Sequence, residues 1–586
     1  MKLTDFRDLH YDRIDTFAEV KIERMKQKPI IECVPNFSEG RNPEIIQQIA
    51  KAIESVQGVK LLNVDPGAST NRTVITFAGG PEDVVEAAFQ AIRMASQLID
   101  MSVHKGEHPR MGATDVCPLI PISGISLAET AAYAKVLGER VGRELGIPVY
   151  LYEAAASAPH RRNLAEIRSG EYEGFAEKMK QEAWKPDFGP AEFNIRAGAT
   201  VIGARDFLIA YNVNLNSKSV RLANEVAFDI RENGRPKRDP ATQKIQKNET
   251  GEIERIPGSC PGVKAIGWYI EEYGYAQISM NLTDLKKTPL HIAFEECRRS
   301  ADKYGLIVTG SELVGLVPRK ALVDSGKYFL HKQKRSLGVT DEELIEIAIQ
   351  SLGLNSVSVF EPNQRIIEYM LEEKKSPLAN LTLTKFVEET ASDSPAPGGG
   401  SVSAYAASMG AALATMVANL TAHKKGYEER LSYFSEIAAQ GIQLSQELLQ
   451  LVDEDTAAFN MIMEAFRLPK LTPEDKKARK KAIKKATIIA IEVPLKTIKL
   501  ASKALPLAKA MVEKGNPNSI SDAGVGALCL EAAIKGAALN VKINASGLED
   551  QEMKKKYFEE ADAHVSAATQ ETAAVLALVN DFISKS

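Results

Sequence analysis

Cysteine is scarce in this sequence and poorly placed for its usual structural uses. The five cysteines, at positions 33, 117, 260, 297 and 529, are odd in number, far apart and without a Cys-x-x-Cys pair. Neither a disulfide framework nor a zinc ribbon is supported, and a reducing, cytoplasmic setting fits best. Histidine is also rare, with eight in 586 residues. Neither sign of charge is in excess: 73 basic side chains face 77 acidic ones, a formal net charge of −4. That balance argues against a nucleic-acid partner. The first 28 residues mix acidic and basic side chains with no apolar core, so they do not read as a secretory signal. One uncharged run, Ser394–Ala422, is long enough for a membrane span. It is mostly Ala, Ser and Gly, which suits close helix packing in a soluble bundle, and no membrane partner is expected.

At 586 residues a single core is unlikely to serve the whole chain, and three or four units are expected. The hydrophobic pattern orders the front of the chain as β-α-β-β-α-β. An apolar strand at 30–34 precedes a helix capped by Asn42 and opened by Pro43. Strands at 59–64 and 73–78, a helix opened by Pro81 and a strand at 116–122 follow. A helix at about 126–145 and a strand at 149–152 extend the unit. The same order recurs over 207–316, interrupted by a charged, Pro- and Gly-containing excursion at 235–262. Beyond a linker at 372–378 no convincing strand remains, and Ala-rich segments with 3.6-residue periodicity predict an all-α bundle. The expected fold is therefore α+β, two tandem ferredoxin-like subdomains followed by a helical domain. The boundaries are 1–28 (extension), 29–206, 207–371, 372–378 (linker) and 379–586.

Chemistry concentrates in His104-Lys105-Gly106-Glu107-His108-Pro109-Arg110-Met111-Gly112. The His-x-x-Glu-His spacing matches an inverted zinc-hydrolase pattern, which requires both histidines on one helix face. Gly106 and Pro109 oppose a helix there. The other reading is a loop presenting His108 as a general acid/base, and the plain alternative is a solvated surface loop. Arg72, Arg110, Arg196 and Arg205 are candidate readers of ligand carboxylates. The stretch from Trp184 to Thr200 is expected to join the two front units. In the rear half, Gly398-Gly399-Gly400-Ser401 opens a helix, either as an anion-binding turn or as a plain linker. It is not a Walker A loop, because no Gly-Lys-Ser/Thr ending follows. Asp453, Glu454 and Asp455 share a helix with apolar residues, and at most one of the two aspartates is expected to face a site. The basic run 476–485 could guide a polyanionic tail or simply face solvent.

The motifs together resemble the bifunctional formimidoyltransferase-cyclodeaminase family. The resemblance is carried by Glu32–Gly40, Ser69–Thr73, His104–Gly112, Asp187–Pro190, Gly267–Tyr269 and Leu313–Pro318, and in the rear half by Ala396–Ser401 and Arg467–Lys470. It runs from about residue 30 to the end. It implies transfer of a formimino group from N-formimidoyl-L-glutamate to N5 of tetrahydrofolate, then cyclisation to 5,10-methenyltetrahydrofolate with release of ammonia. It implies His108 as transferase acid/base and Asp455 as the cyclodeaminase carboxylate. It further implies a folate-contacting segment comprising Gly189, Pro190, Ala191, Glu192, Phe193, Asn194, Ile195, Arg196, Ala197 and Gly198. Folate or polyglutamate contacts are expected among Lys477, Arg479, Lys480 and Lys481. The implied co-substrate is tetrahydrofolate, polyglutamylated, with no metal. The implied assembly is a homo-oligomer with transferase and cyclodeaminase dimer contacts. Three rivals stand beside this reading: a zinc hydrolase using His104 and His108, a non-catalytic folate-binding scaffold, and an enzyme transferring formyl rather than formimino groups.

Overall fold

The computed structural model describes residues 29–68, 70–106, 109–371 and 378–585. The 1–28 extension, nearly all of the linker, and His108 lie outside the described residues. Contacts divide the chain into two compact units, one of residues up to 321 together with 352–372, the other of 322–351 with the remainder.

The first unit opens with a broken strand, β1 (Ile30–Cys33) and β2 (Asn36–Phe37). Helix α1 (Pro43–Glu54), strands β3 (Val59–Gly67) and β4 (Arg72–Gly79), helix α2 (Pro81–Leu98) and strand β5 (Thr114–Ser123) follow. Asn42 caps α1 by accepting from the Glu44 and Ile45 amides, a device that contributes about 1 kcal/mol. Next come α3 (Leu127–Leu145), β6 (Val149–Glu153), α4 (Leu164–Arg168), α5 (Glu171–Lys178) and β7 (Thr200–Ala204). The sheet runs β3, β4, β1/β2, β5, β7, β6. Strand β7 is an element that the hydrophobic pattern did not predict. It lies between β5 and β6 and parallel to both. The stretch from Trp184 to Thr200 is therefore a return into this same sheet rather than a junction between sheets. One face buries Ile31, Cys33, Phe77, Ala88 and Leu119 under the helices, and Val116, Tyr150, Tyr152 and Val201 form a second cluster with Ile167 and Phe175.

A second sheet follows. It uses β8 (Ile209–Leu215), helix α6 (Val220–Ile230), the short ribbon β9 (Arg235–Pro236) and β10 (Arg255–Ile256), then β11 (Val263–Ile270), β12 (Tyr275–Leu282), α7 (Leu290–Lys303) and β13 (Val308–Val314). Its order is β11, β12, β8, β13, antiparallel throughout. The excursion at 235–262 forms the β9–β10 ribbon.

Helices α8 (Arg319–Lys332) and α9 (Asp341–Leu352) follow. The loop between them belongs to the second unit. There the Ser336 hydroxyl donates to Asn419 (2.6 Å) and the Leu337 amide to Ser435 (2.9 Å). The rest of that unit is helical among its described residues: α10 (Leu383–Thr390), α11 (Gly399–Ala422), α12 (Leu431–Arg467), α13 (Pro473–Lys514), α14 (Ile520–Ala545) and α15 (Gln551–Lys585). Small residues let the central helices touch: a Cβ at Gly410 would press on the Gly526 carbonyl, and one at Gly441 on the Thr415 side chain. Helix α13 continues through Pro494 and Pro506. Each proline costs about 3 kcal/mol in a helix interior. Burial of Ile491, Leu495, Ile498, Leu500 and Leu505, at about 1.5–3 kcal/mol for each large side chain, outweighs that cost.

Helices Gly399–Ala422 and Pro517–Ala545 have the length and composition of membrane spans, but 61% and 50% of their apolar windows are buried inside the protein. What they leave outside is a stripe. Val402, Met409, Met416 and Leu420 on α11, and Val525, Leu528, Leu539 and Ile543 on α14, are all exposed.

Two candidate active sites

The first site forms where four sequence motifs meet. Residues 104–106 and 109–110 are not helical, so the helix needed by the two-histidine zinc pattern is absent there. The His104 Nε2–H donates to the Asn71 carbonyl (3.1 Å), and its Nδ1 accepts from Arg110 Nε (3.4 Å). Burial and the neighbouring Arg110 depress the His104 pKa against the opposing pull of the Asn71 bond. With both nitrogens committed, His104 is a neutral brace and not a free base.

Asn71 is the hinge pin of this arrangement. It has φ +49°, a conformation Asn tolerates better than most residues. Its side chain accepts from the Gly40 amide (3.0 Å) and donates to the Lys105 carbonyl (2.9 Å). The Ser38 hydroxyl bonds the Gly112 carbonyl (2.8 Å), and the Ala113 amide donates to Ala197 (2.9 Å). The glycines are required by contact: a Cβ at Gly106 would strike the Thr70 carbonyl, one at Gly112 the Ala197 and Ala199 carbonyls, and one at Gly198 (φ +68°) the Met111 carbonyl. Arg110 is gripped by Glu173 (2.7 Å) and Glu171 (3.3 Å).

Beside this junction lies a cleft of about 500 Å³, whose walls include Ser38, Arg41, Asn71, Leu98, Val103 and His104. A narrow recess shares Ser38, Asn71 and His104 with it and adds Arg72, Arg110 and Asp115. The segment Gly189–Gly198 runs alongside: the Met101 amide donates to the Arg196 carbonyl, and the Arg196 guanidinium to the Gln97 carbonyl (2.7 Å). Phe193 lies against Tyr172, with ring centroids 5.2 Å apart, and Ile195 is exposed. Of the four arginines singled out in the sequence, Arg72 and Arg110 line the recess, and Arg196 lines neither cavity but bonds the Gln97 carbonyl, next in sequence to the cleft residue Leu98. Arg205 lines neither cavity and donates to the Asp206 carbonyl. Arg168, which pairs with Asp115 at 2.6 Å, was not anticipated; nothing local in the sequence distinguishes it from other helix-surface arginines.

The second site is in the helical unit. Asp453 and Asp455 diverge as their spacing requires. Asp453 accepts from the Leu378 and Ala379 amides, the former at 2.5 Å. Asp455 points at the start of α11. The Ser401 hydroxyl lies 3.1 Å from its Oδ2 and 2.9 Å from the Val452 carbonyl. A Cβ at Gly400 would overlap the Asp455 carboxylate. Burial raises the Asp455 pKa, and hydrogen bonds from the Ser401 side chain and backbone oppose the rise. The result is a desolvated carboxyl group at a helix N-terminus, suited to exchanging a proton. The basic residues are elsewhere on α13. Glu454 is level with Lys496 through a 3.1 Å ion pair, so Lys480 lies about 24 Å away along the helix at 1.5 Å per residue. Arg479 donates to the Phe466 carbonyl (3.1 Å), Lys480 pairs with Glu549 (3.0 Å), and Lys477 and Lys481 are exposed.

Comparison with known proteins follows the same division. Residues 30–205 match the formiminotransferase domain, N-terminal subdomain; residues 210–372 match the formiminotransferase domain; residues 382–563 match the formiminotransferase-cyclodeaminase pattern. The chain is similar to a formimidoyltransferase-cyclodeaminase of Mus musculus, 44% identical over 93% of this chain and 98% of that protein. It is similar to a glutamate formimidoyltransferase of Thermoplasma acidophilum, 44% identical over 51% of this chain and 92% of that one. It also resembles a methenyltetrahydrofolate cyclohydrolase of Methylorubrum extorquens, 39% identical over 32% of this chain and 91% of that one. Fold, sites and similarities define a bifunctional enzyme, with a transferase region of one mixed and one antiparallel sheet ahead of a helical cyclodeaminase region. The chain belongs to the formimidoyltransferase-cyclodeaminase family.

Proposed function

We propose that the chain transfers the formimino group of N-formimidoyl-L-glutamate to N5 of tetrahydrofolate, releasing glutamate, and then closes 5-formimidoyltetrahydrofolate to 5,10-methenyltetrahydrofolate with loss of ammonia. The observation that carries this reading is the pairing of a motif-built cleft in the first unit with the desolvated Asp455 in the second. In the first step N5 attacks the amidine carbon, and His108 takes its proton and returns it to the departing glutamate nitrogen. Holding donor and acceptor together supplies much of the rate, and the Gly189–Gly198 loop is assigned to the folate. In the second step N10 attacks the same carbon of the protonated formimino group, Asp455 carries the N10 proton to the former imino nitrogen, and the bond from that nitrogen to carbon breaks, releasing ammonia and leaving the positive charge on the N5–carbon–N10 bridge. Each proton transfer is assigned to a side chain, and no metal is assigned to either step.

The folate is expected to carry a polyglutamate tail, with Lys477, Arg479, Lys480 and Lys481 as its contacts. Their separation from Asp455 suits a tail better than a pterin. The two front subdomains are read as ferredoxin-like, 29–206 and 207–371, with the helical domain at 379–586. The strand orders support this, each placing the first strand of a β-α-β-β-α-β set between the third and the fourth. The enzyme is assigned to the cytoplasm, without nucleic-acid or membrane partners. It is assigned to a homo-oligomer with contacts through both halves; the exposed stripe on α11 and α14 supports the helical contact. A product balance tests the central reading: the full-length enzyme should form one glutamate and one ammonia per methenyltetrahydrofolate. Glutamate without ammonia, or preference for a formyl donor, would contradict it.

A further inference from the structure

One short segment touches both the histidine loop and the Gly189–Gly198 loop. It is the first turn of α5, entered through Gly170 (φ +90°) and Glu171 (φ +52°). A residue with a side chain is uncommon in that left-handed region and stays there only when its surroundings hold it. The rest of α5 is anchored. Phe175 is buried edge-on against Tyr150, with ring centroids 5.3 Å apart. The Lys178 ammonium binds the Glu166, Ile167 and Ser169 carbonyls at 2.7–2.9 Å.

On one side the turn holds the histidine loop. The Tyr172 amide donates to the Arg110 carbonyl (2.8 Å). Glu173 takes the Arg110 guanidinium with both oxygens (2.7 and 2.8 Å), and Glu171 adds a third contact (3.3 Å). The same Arg110 braces His104. The far end of that loop is fixed separately. Asn36 faces Val116 and Phe37 faces Thr114, so Asp115 bulges out of the pairing between β2 and β5, a feature common beside active sites. Its Oδ1 accepts from the Met111 amide (3.0 Å), and its Oδ2 accepts from Arg168 (2.6 Å) at the end of α4. On the other side the turn holds the Gly189–Gly198 loop. The Tyr172 hydroxyl donates to the Ile195 carbonyl (2.5 Å), and its ring lies against Phe193. The two loops also meet directly at Gly112 and Gly198; Tyr172 ties them together away from that point.

We propose that Tyr172 is a positioning residue for the transfer step, holding the histidine loop in register with the loop assigned to folate. The inference rests on the transferase reading above. Two substrates held by two loops react only while the loops keep their separation. An error of about 1 Å at the reacting atoms can cost on the order of 100-fold in rate. A third element, fixed along its own length, keeps that separation without touching either substrate.

The test is steady-state kinetics of the full-length enzyme, with donor and tetrahydrofolate varied separately. The variants are Tyr172→Phe, Tyr172→Leu, Glu173→Gln and the pair Tyr172→Phe with Glu173→Gln. Tyr172→Phe loses one hydrogen bond to the Gly189–Gly198 loop and keeps the ring. Its tetrahydrofolate KM should rise by about 3- to 10-fold, with the donor KM within about twofold of wild type. Tyr172→Leu also loses the Phe193 contact and should raise the tetrahydrofolate KM further. Glu173→Gln loosens Arg110 and should lower kcat by about 10-fold, with the tetrahydrofolate KM within about twofold. Because both residues act through one turn, the paired variant should retain about threefold or more kcat/KM above the product of the single effects. Tyr172→Phe removes a single oxygen and serves as the readout if Tyr172→Leu fails to fold, as judged by near-UV circular dichroism. An unchanged tetrahydrofolate KM in Tyr172→Phe, an equal rise in both KM values, or single effects that simply multiply would overturn the inference and leave the transferase reading intact. A wild-type enzyme that releases no glutamate from the donor would overturn both.

Discussion

At Asp455, burial and hydrogen bonding act against each other. Loss of water favours the neutral acid, Ser401 favours the carboxylate, and burial wins, because the pKa is raised. If the carboxylate is the form that accepts the N10 proton, the acidic limb of the cyclisation rate falls above the ordinary carboxylate range. Ser401→Ala removes a donor that favours the charged form, so the limb should move to still higher pH; Ser401→Thr, which keeps a hydroxyl, should restore it. A limb that does not move in Ser401→Ala would mean that Asp455 does not set it. Residue types alone indicated that only one of Asp453 and Asp455 could serve, since residues two apart on a helix diverge. They did not indicate which, because the choice depends on Gly400 and Ser401 arriving from another helix. His104 shows the same limit. Its commitment to Asn71 and Arg110 depends on a backbone conformation at Asn71 that the sequence does not reveal.

Among the elements, the start of α11 meets α12 without clearance. Gly400→Ala would place a methyl group in the space of the Asp455 carboxylate. Either the helix start or the carboxylate must shift, and a displacement of about 1 Å at a reacting group can cost on the order of 100-fold in rate. Cyclisation in Gly400→Ala should fall by about that factor while transfer is unchanged, measured as methenyltetrahydrofolate absorbance against glutamate release. Wild-type cyclisation would show that the α11 start does not shape the site. Most elements were legible from periodicity and capping: α1 from Asn42 and Pro43, and the rear bundle from its small residues. Strand β7 was not. Five residues following a Gly- and Pro-rich loop carry too little pattern, and the strand is stabilised by pairing with β5 and β6 on both sides. The bulge at Asp115 was hidden for the same reason, since it exists only relative to β2.

For the whole molecule, one chain carries two chemistries that act on the same carbon in succession, on scaffolds of different class. The exposed stripe of Val402, Met409, Met416 and Leu420 is an apolar face with helical spacing, and faces of that kind mark association surfaces. If the proposed homo-oligomer uses this face, Met409→Glu with Met416→Glu should lower the mass by light scattering while the variant remains folded; an unchanged mass would contradict the proposed helical contact. The most direct test of the two-site account is a paired assay of His108→Ala and Asp455→Asn, each followed for glutamate release and for methenyltetrahydrofolate absorbance. The account predicts that His108→Ala loses glutamate release yet cyclises supplied 5-formimidoyltetrahydrofolate, and that Asp455→Asn releases glutamate and accumulates that intermediate. Loss of both activities in either folded variant would contradict it.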